Sequence, residues 1–213
     1  MAVNIPAYKT ITAPVTVEQT IEKSRFICDL APVTSEEEAR EFIAGIRKSH
    51  SASRHVCSAF VVGKAIPIAR SNDDGEPSGT AGRPILSVLE GAKLVNVVAA
   101  VTRYFGGVLL GTGGLVRAYS GTTSLALESA NIVTMQWVYP NSLRIHYSLW
   151  GSVQRLFNDY NDIFLNCSQE YLEEVIASFS LKEEDFPKAQ KLLEEALQQT
   201  ITFISDNGYY LPL

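Results

Sequence analysis

Two glycine-rich, charge-bearing segments interrupt an otherwise apolar first half of the chain. One is Ser71-Asn72-Asp73-Asp74-Gly75-Glu76-Pro77-Ser78-Gly79-Thr80-Ala81-Gly82-Arg83-Pro84. The other is Thr102-Arg103-Tyr104-Phe105-Gly106-Gly107, continuing to Gly111-Thr112-Gly113-Gly114-Leu115-Val116-Arg117-Ala118-Tyr119. Glycine loses the most conformational entropy on folding, so glycines concentrated in two loops point to positive φ or close backbone approach there. Function is expected in these loops.

The patterning around them is that of an α+β protein. Ser35-Glu36-Glu37-Glu38 is a capping-box pattern, and Ala39, Phe42, Ile43 and Ile46 follow at helical spacing, which predicts an amphipathic helix to about residue 49. Val56, Ser58, Phe60 and Val62, then Ile66, Ile68 and Arg70, alternate across Gly63-Lys64 and predict a hairpin leading into the first glycine segment. Residues 83–94 read as a helix with Pro84 in its first turn, and 95–102 as a strand buried on both faces. Residues 115–130 read as a helix packed on the sheet.

The character changes at 137–141, which divides the chain into expected domains of 1–136 and 137–213. In the second, strands are expected over 143–149, 163–167, 175–181 and 201–204, with helices over 153–160 and 189–197. That βαββαβ order is the ferredoxin-like arrangement, helices on one antiparallel sheet.

At 213 residues and 46% hydrophobic composition, the chain can build a real core. No apolar run of about 18 residues is present, and the start has neither the basic flank nor the apolar stretch of a signal peptide, so a cytoplasmic protein without a membrane partner is expected. Cys28, Cys57 and Cys167 are scattered without CxxC spacing, which argues against disulfides or a zinc site; each is expected as a small buried apolar residue. Residues 1–135 carry 13 Lys or Arg against 12 Asp or Glu, and residues 136–213 carry 5 against 11, net +1 and −6. A nonspecific DNA-binding domain would be basic, so any nucleic-acid contact must come from a local patch in the first half.

Gly111-Thr112-Gly113-Gly114 ahead of a helix offers backbone N–H groups at a positive dipole end, with Thr112 as a possible cap and Arg117 in about the first turn. Such a start suits a phosphate or carboxylate; the alternative is a tight turn packing helix against strand. Arg103 and Tyr104 pair a cation with a stacking ring, as RNA recognition requires, unless Arg103 bridges to Asp73, Asp74 or Glu76. Those carboxylates have poor spacing for a metal, and turn or arginine-pairing roles account for them; no metal or cofactor is assigned. His50, His55 and His146 form no HxxxH or HExxH, and Ser78 sits outside any GxSxG elbow, so no catalytic residue is assigned.

Three stretches, Ser24-Arg25-Phe26-Ile27, residues 70–86 and residues 101–120, closely resemble the IMPACT/YigZ family in its bacterial two-domain branch. The resemblance covers about residues 24–130. It implies a first domain of the ribosomal protein S5 second-domain type, similar to the fourth domain of translocating elongation factors, and a second similar to their fifth. Those domains touch ribosomal RNA. Eukaryotic members carry an N-terminal protein-interaction domain instead of the small C-terminal one. They are associated with translational control under amino-acid starvation, through competition for an activator of a stress kinase; what carries over here is a link to ribosomes or translation. The family motifs bring no catalytic assignment. The acidic second domain departs from an RNA-binding pattern, which leaves the first as the candidate.

The reading is an RNA- or ribosome-binding accessory or regulatory factor of translation. Its face is built from Arg103, Tyr104, Gly106, Gly107, Gly111, Thr112, Gly113, Gly114 and Arg117, beside the acidic loop of Asp73, Asp74 and Glu76. Two alternatives are an enzyme acting on a small phosphorylated or carboxylated metabolite, with that loop as base or metal holder, and a protein-interaction module. A broad basic face around Arg103 and Arg117 favours RNA, and a narrow pocket where both meet the acidic loop favours a small ligand. At least one of the three carboxylates is expected to pair with Arg103 or Arg117.

Overall fold

The β-branched run between the glycine segments forms the middle strand of a five-stranded antiparallel sheet, as its two-sided apolar character requires. The computed structural model describes residues 5–64, 66–203 and 207–213. Its chain order is β1 (Tyr8–Ile11), β2 (Val15–Ile21), β3 (Ser24–Pro32), α1 (Glu36–Ser49), β4 (His55–Val62), β5 (Ile68–Asn72), α2 (Gly82–Gly91), β6 (Val97–Tyr104), α3 (Gly111–Ser129) and β7 (Ile132–Ile145). There follow α4 (Tyr147–Asp159), β8 (Leu165–Tyr171), β9 (Val175–Leu181), α5 (Phe186–Leu197) and β10 (Tyr209–Pro212). The fold is mixed α+β with two sheets, in two units, Met1–Met135 and Gln136–Leu213.

In the first unit the sheet runs β2-β3-β6-β4-β5. Strand β6 is buried from Val97 to Arg103, and its alternate residues serve two cores. Val97, Ala99 and Val101 pack with Leu86 and Leu89 of α2 and Leu115, Ala118 and Tyr119 of α3. Val98 faces the other way, into a smaller core with Phe60, Val62 and Ala39 of α1. By the same alternation Arg103 belongs to the α2/α3 side and Tyr104 to the α1 side. Helix α1 has the predicted cap, Ser35 Oγ accepting the Glu38 N–H at 3.1 Å.

In the second unit β9 lies between β7 and β8, antiparallel to both, and β10 pairs with β7. Its core holds Trp150, Val153 and Phe157 of α4 and Ala189, Leu193 and Leu197 of α5 against Val175, Ala177, Phe179 and Leu181.

Several expectations are corrected. The strand expected over 143–149 is the end of a longer one, β7, which runs from Ile132 through residues 137–141 to Ile145; its first residues pair with β1 and Tyr139–Ile145 pair with β9. Residues 147–149 are helical, because His146 Nδ1 accepts the Ser148 N–H and starts α4 there. Residues 201–203 are not a strand; Ile201 fills the core instead, residue 204 lies outside the described residues, and the last strand is β10. Helix α3 begins at Gly111, so the glycines form its first turn rather than precede it. Its buried face of Leu115, Ala118, Tyr119, Thr122 and Ala126 holds it, so low propensity in the first turn is tolerated. Cys28 and Cys57 are buried as expected, but Cys167 is exposed on β8, whose residues beyond Leu165 face solvent.

Candidate functional site

Both glycine segments come to one place. A pocket of ≈ 410 Å³ is lined by Gly75, Glu76 and Pro77 of the first, by Arg103, Phe105, Leu109, Leu110, Gly111, Thr112 and Leu115 of the second, and by Arg54 and His55 at the start of β4. The register explains the meeting. Arg103 stands opposite Phe26 on β3 and His55 on β4, so the end of β6 brings the loop after it beside the residues that open β4.

Its floor is a buried ion pair. Arg103 Nη1 donates to Glu76 Oε1 at 2.7 Å, and the Tyr119 hydroxyl donates to the same oxygen at 2.9 Å. Arg103 is 6% and Glu76 8% exposed. The guanidinium carbon also lies 5.5 Å from the Phe26 ring centre and 5.3 Å from that of Phe105. The expected pairing of the acidic loop with an arginine is therefore present as Glu76 with Arg103. Desolvation makes such a pair costly to break.

The other two acids work inside the protein. Asp73 accepts N–H groups from Gly79 at 2.8 Å, Ala81 at 3.0 Å and Gly82 at 2.8 Å, serving the start of α2, where Ala81 gives no side-chain cap. Burial alone would raise the Asp73 carboxyl, but these three donors outweigh it and hold it below its ordinary value. Asp74 accepts from Arg47 and from the Val56 N–H, both at 2.7 Å, while its carbonyl accepts from His55 Nδ1 at 2.6 Å. Among the described residues, no group of three or more His, Cys, Asp or Glu is placed to hold a metal ion.

Of the residues singled out in the sequence, Arg103, Gly111 and Thr112 line the pocket, and Arg117 does not. Arg117 lines a separate cavity of ≈ 390 Å³ with Glu22, Val108 and Gly114, so the two arginines do not meet at the acidic loop. Tyr104 is also elsewhere: consecutive strand residues face opposite sides of the sheet, and its hydroxyl is hydrogen-bonded to His50 at 3.0 Å while Arg25 lies 4.5 Å over its ring. Thr112 is not a cap, because it sits within the helix and Leu110 is the N-cap residue, without a side-chain bond. Gly106 is required by close approach, since a Cβ there would run into the Lys23 carbonyl, and Gly111, at φ 68°, by conformation. Gly107 has positive φ as well, whereas Gly113 has neither constraint beyond the Arg117 side chain nearby.

Sequence reasoning missed Arg54, Phe105 and Leu109, and set His55 aside for want of a metal or catalytic spacing. Phe105 lies inside the second glycine segment, and an aromatic residue between a buried strand and two glycines is the available signal. The buried thiols are inert: desolvation pushes Cys28 and Cys57 up to about 12.

The model of the Impact N-terminal domain matches residues 22–127. IMPACT family member YvyE of Bacillus subtilis (strain 168) is 45% identical over 148 residues, covering 70% of this chain and 68% of the relative. IMPACT family member YigZ of Escherichia coli (strain K12) is 36% identical over 186 residues, 83% of this chain and 91% of the relative. A crystal structure described as that of a hypothetical protein matches with a TM-score of 0.59 at 30% identity, over 94% of this chain and 98% of the other. With motif, length and fold in agreement, the chain belongs to the IMPACT family.

Proposed function

We propose that this protein is an accessory or regulatory factor of translation that binds RNA or the ribosome through its first unit. The observation that carries the reading is the convergence of both glycine segments on one pocket. Its rim bears an exposed cation, Arg54, an aromatic ring 42% exposed, Phe105, and the uncapped start of α3. Cation, ring and helix start are the groups that hold phosphates and stacked bases. Gly106, Gly107, Gly111, Thr112, Gly113 and Gly114 shape this surface and Arg117 extends it. Arg103 braces the floor through Glu76, and Tyr104, on the opposite face of the sheet, plays no part.

On the same reading the first unit is of the ribosomal protein S5 second-domain type. The second is a ferredoxin-like sandwich, a reading supported by its βαββαβ order, by β9 lying between β7 and β8, and by the pairing of β10 with β7. The protein works in the cytoplasm; no helix among the described residues is long and apolar enough to cross a membrane.

Co-sedimentation with ribosomes or RNA across a salt series tests the proposal. Arg54→Ala and Arg117→Ala should each lower the salt slope by about one, whereas Phe105→Ala should cost about 1–3 kcal/mol with little change in slope. Wild-type protein that fails to bind at about 50 mM salt, where electrostatic association is strong, would remove this reading.

A further inference from the structure

The floor of the pocket offers an acceptor that the protein itself leaves unused. Glu76 is covered apart from 8% of its surface, and both hydrogen bonds to its carboxylate, from Arg103 and Tyr119, end on Oε1. Oε2 accepts none from the described residues, and Glu76 lines the pocket. The pocket mouth has the opposite preference. The first N–H groups of α3 have no side-chain cap, no acidic residue lies in that first turn, and Arg54 is exposed with no ion pair among the described residues. The remaining wall is apolar, with Leu115 buried in it and Phe105 and Leu109 exposed at its rim.

A ligand that satisfies all three zones carries an anion at one end, a flat apolar body and a hydrogen-bond donor at the other. From this complementarity we infer that the pocket is a nucleotide subsite. The phosphate sits at the first turn of α3 with Arg54, the base lies along Phe105 and Leu109, and an amino or hydroxyl group of the base or ribose donates to Glu76 Oε2. This deepens the RNA-binding reading and rests on it for the source of the nucleotide, a residue of an RNA strand; a free mononucleotide has the same chemistry. Inorganic phosphate fills only the mouth, a nucleoside only the wall and floor. The volume, ≈ 410 Å³, lies in the range of small-ligand sites.

Titration calorimetry on the full chain with nucleoside 5′-monophosphates, inorganic phosphate and nucleosides, run beside co-sedimentation with RNA, tests the assignment. The expected result is monophosphate binding at least about tenfold tighter than that of phosphate or nucleoside. Thr112→Glu is the decisive variant. A carboxylate in the first turn favours the helix, so the fold should hold and the melting temperature should not fall, while the ligand anion is repelled and affinity drops at least about tenfold. Lys48→Ala, a charge change on α1 outside the pocket, should leave binding unchanged. Phosphate binding as tightly as a monophosphate, or stabilisation by a free amino acid such as leucine in place of nucleotides, would overturn the assignment. RNA binding that survives Thr112→Glu, with no mononucleotide binding, would overturn the pocket and leave the RNA reading standing. Mononucleotide binding without RNA binding would support the pocket and remove the RNA reading.

Discussion

Arg103 shows how one residue changes meaning between sequence and structure. As a cation at a strand end beside a tyrosine it looks like a phosphate contact, yet its guanidinium is bonded to Glu76 and only 6% of the residue is exposed. Removing one partner of a desolvated pair leaves the other charge uncompensated, which costs about 3–5 kcal/mol. Arg103→Ala should therefore lower the melting temperature sharply, and the double variant Arg103→Met with Glu76→Leu should recover much of the loss. Thermal melts of the wild type and the two variants check this; a single variant as stable as wild type would mean that the pair contributes nothing to the fold. Asp73 and Glu76 lie three residues apart and have unlike roles, one stapling backbone and the other walling a pocket, a distinction that spacing alone does not carry.

At the scale of the element, the start of α2 depends on a carboxylate outside the helix. Ala81 has no side chain to cap the helix, and Asp73 accepts the Ala81 and Gly82 N–H groups in its place. The three donors hold the folded-state carboxyl below its ordinary value, so the charged form contributes stability above the unfolded pKa and loses it as pH falls through the folded one. Asp73→Asn should melt below wild type at neutral pH, and the gap should narrow as pH drops below the ordinary aspartate value of about 3.9. A gap constant from pH 7 to pH 3 would sink the account. Alternation along β6 sends Val97, Ala99, Val101 and Arg103 to one core and Val98 and Tyr104 to the other side, so two neighbours read together as one recognition pair serve different faces.

For the whole molecule, we propose that residues 1–136 and 137–213 are separable domains. Each of the units described has its own apolar cluster, and the first four residues of β7, which pair with β1, stay with the N-terminal fragment. Residues 1–136 expressed alone should be soluble and melt cooperatively. An insoluble or molten fragment would mean that the second half completes the first core. The charge difference between the halves, +1 against −6, belongs to this scale too, and directs nucleic-acid contact to the first half.

What the amino-acid order determined by itself is what repeats over short range. Apolar spacing marked α1, the β4–β5 hairpin and the two-sided strand β6, because a helix or strand displays its buried face at a fixed period. The alternation that separates Arg103 from Tyr104 was legible in the same way. Strand β2 carried its own alternating signal in Val15, Val17 and Ile21, weakened by half-burial at the sheet edge, and went unread. Tertiary structure alone decided which of three carboxylates meets Arg103, that Arg117 stands apart, and that Arg54 and His55 join loops dozens of residues away in one pocket. These depend on strand register and on the desolvation of charges brought together by the fold, and neither leaves a period in the chain.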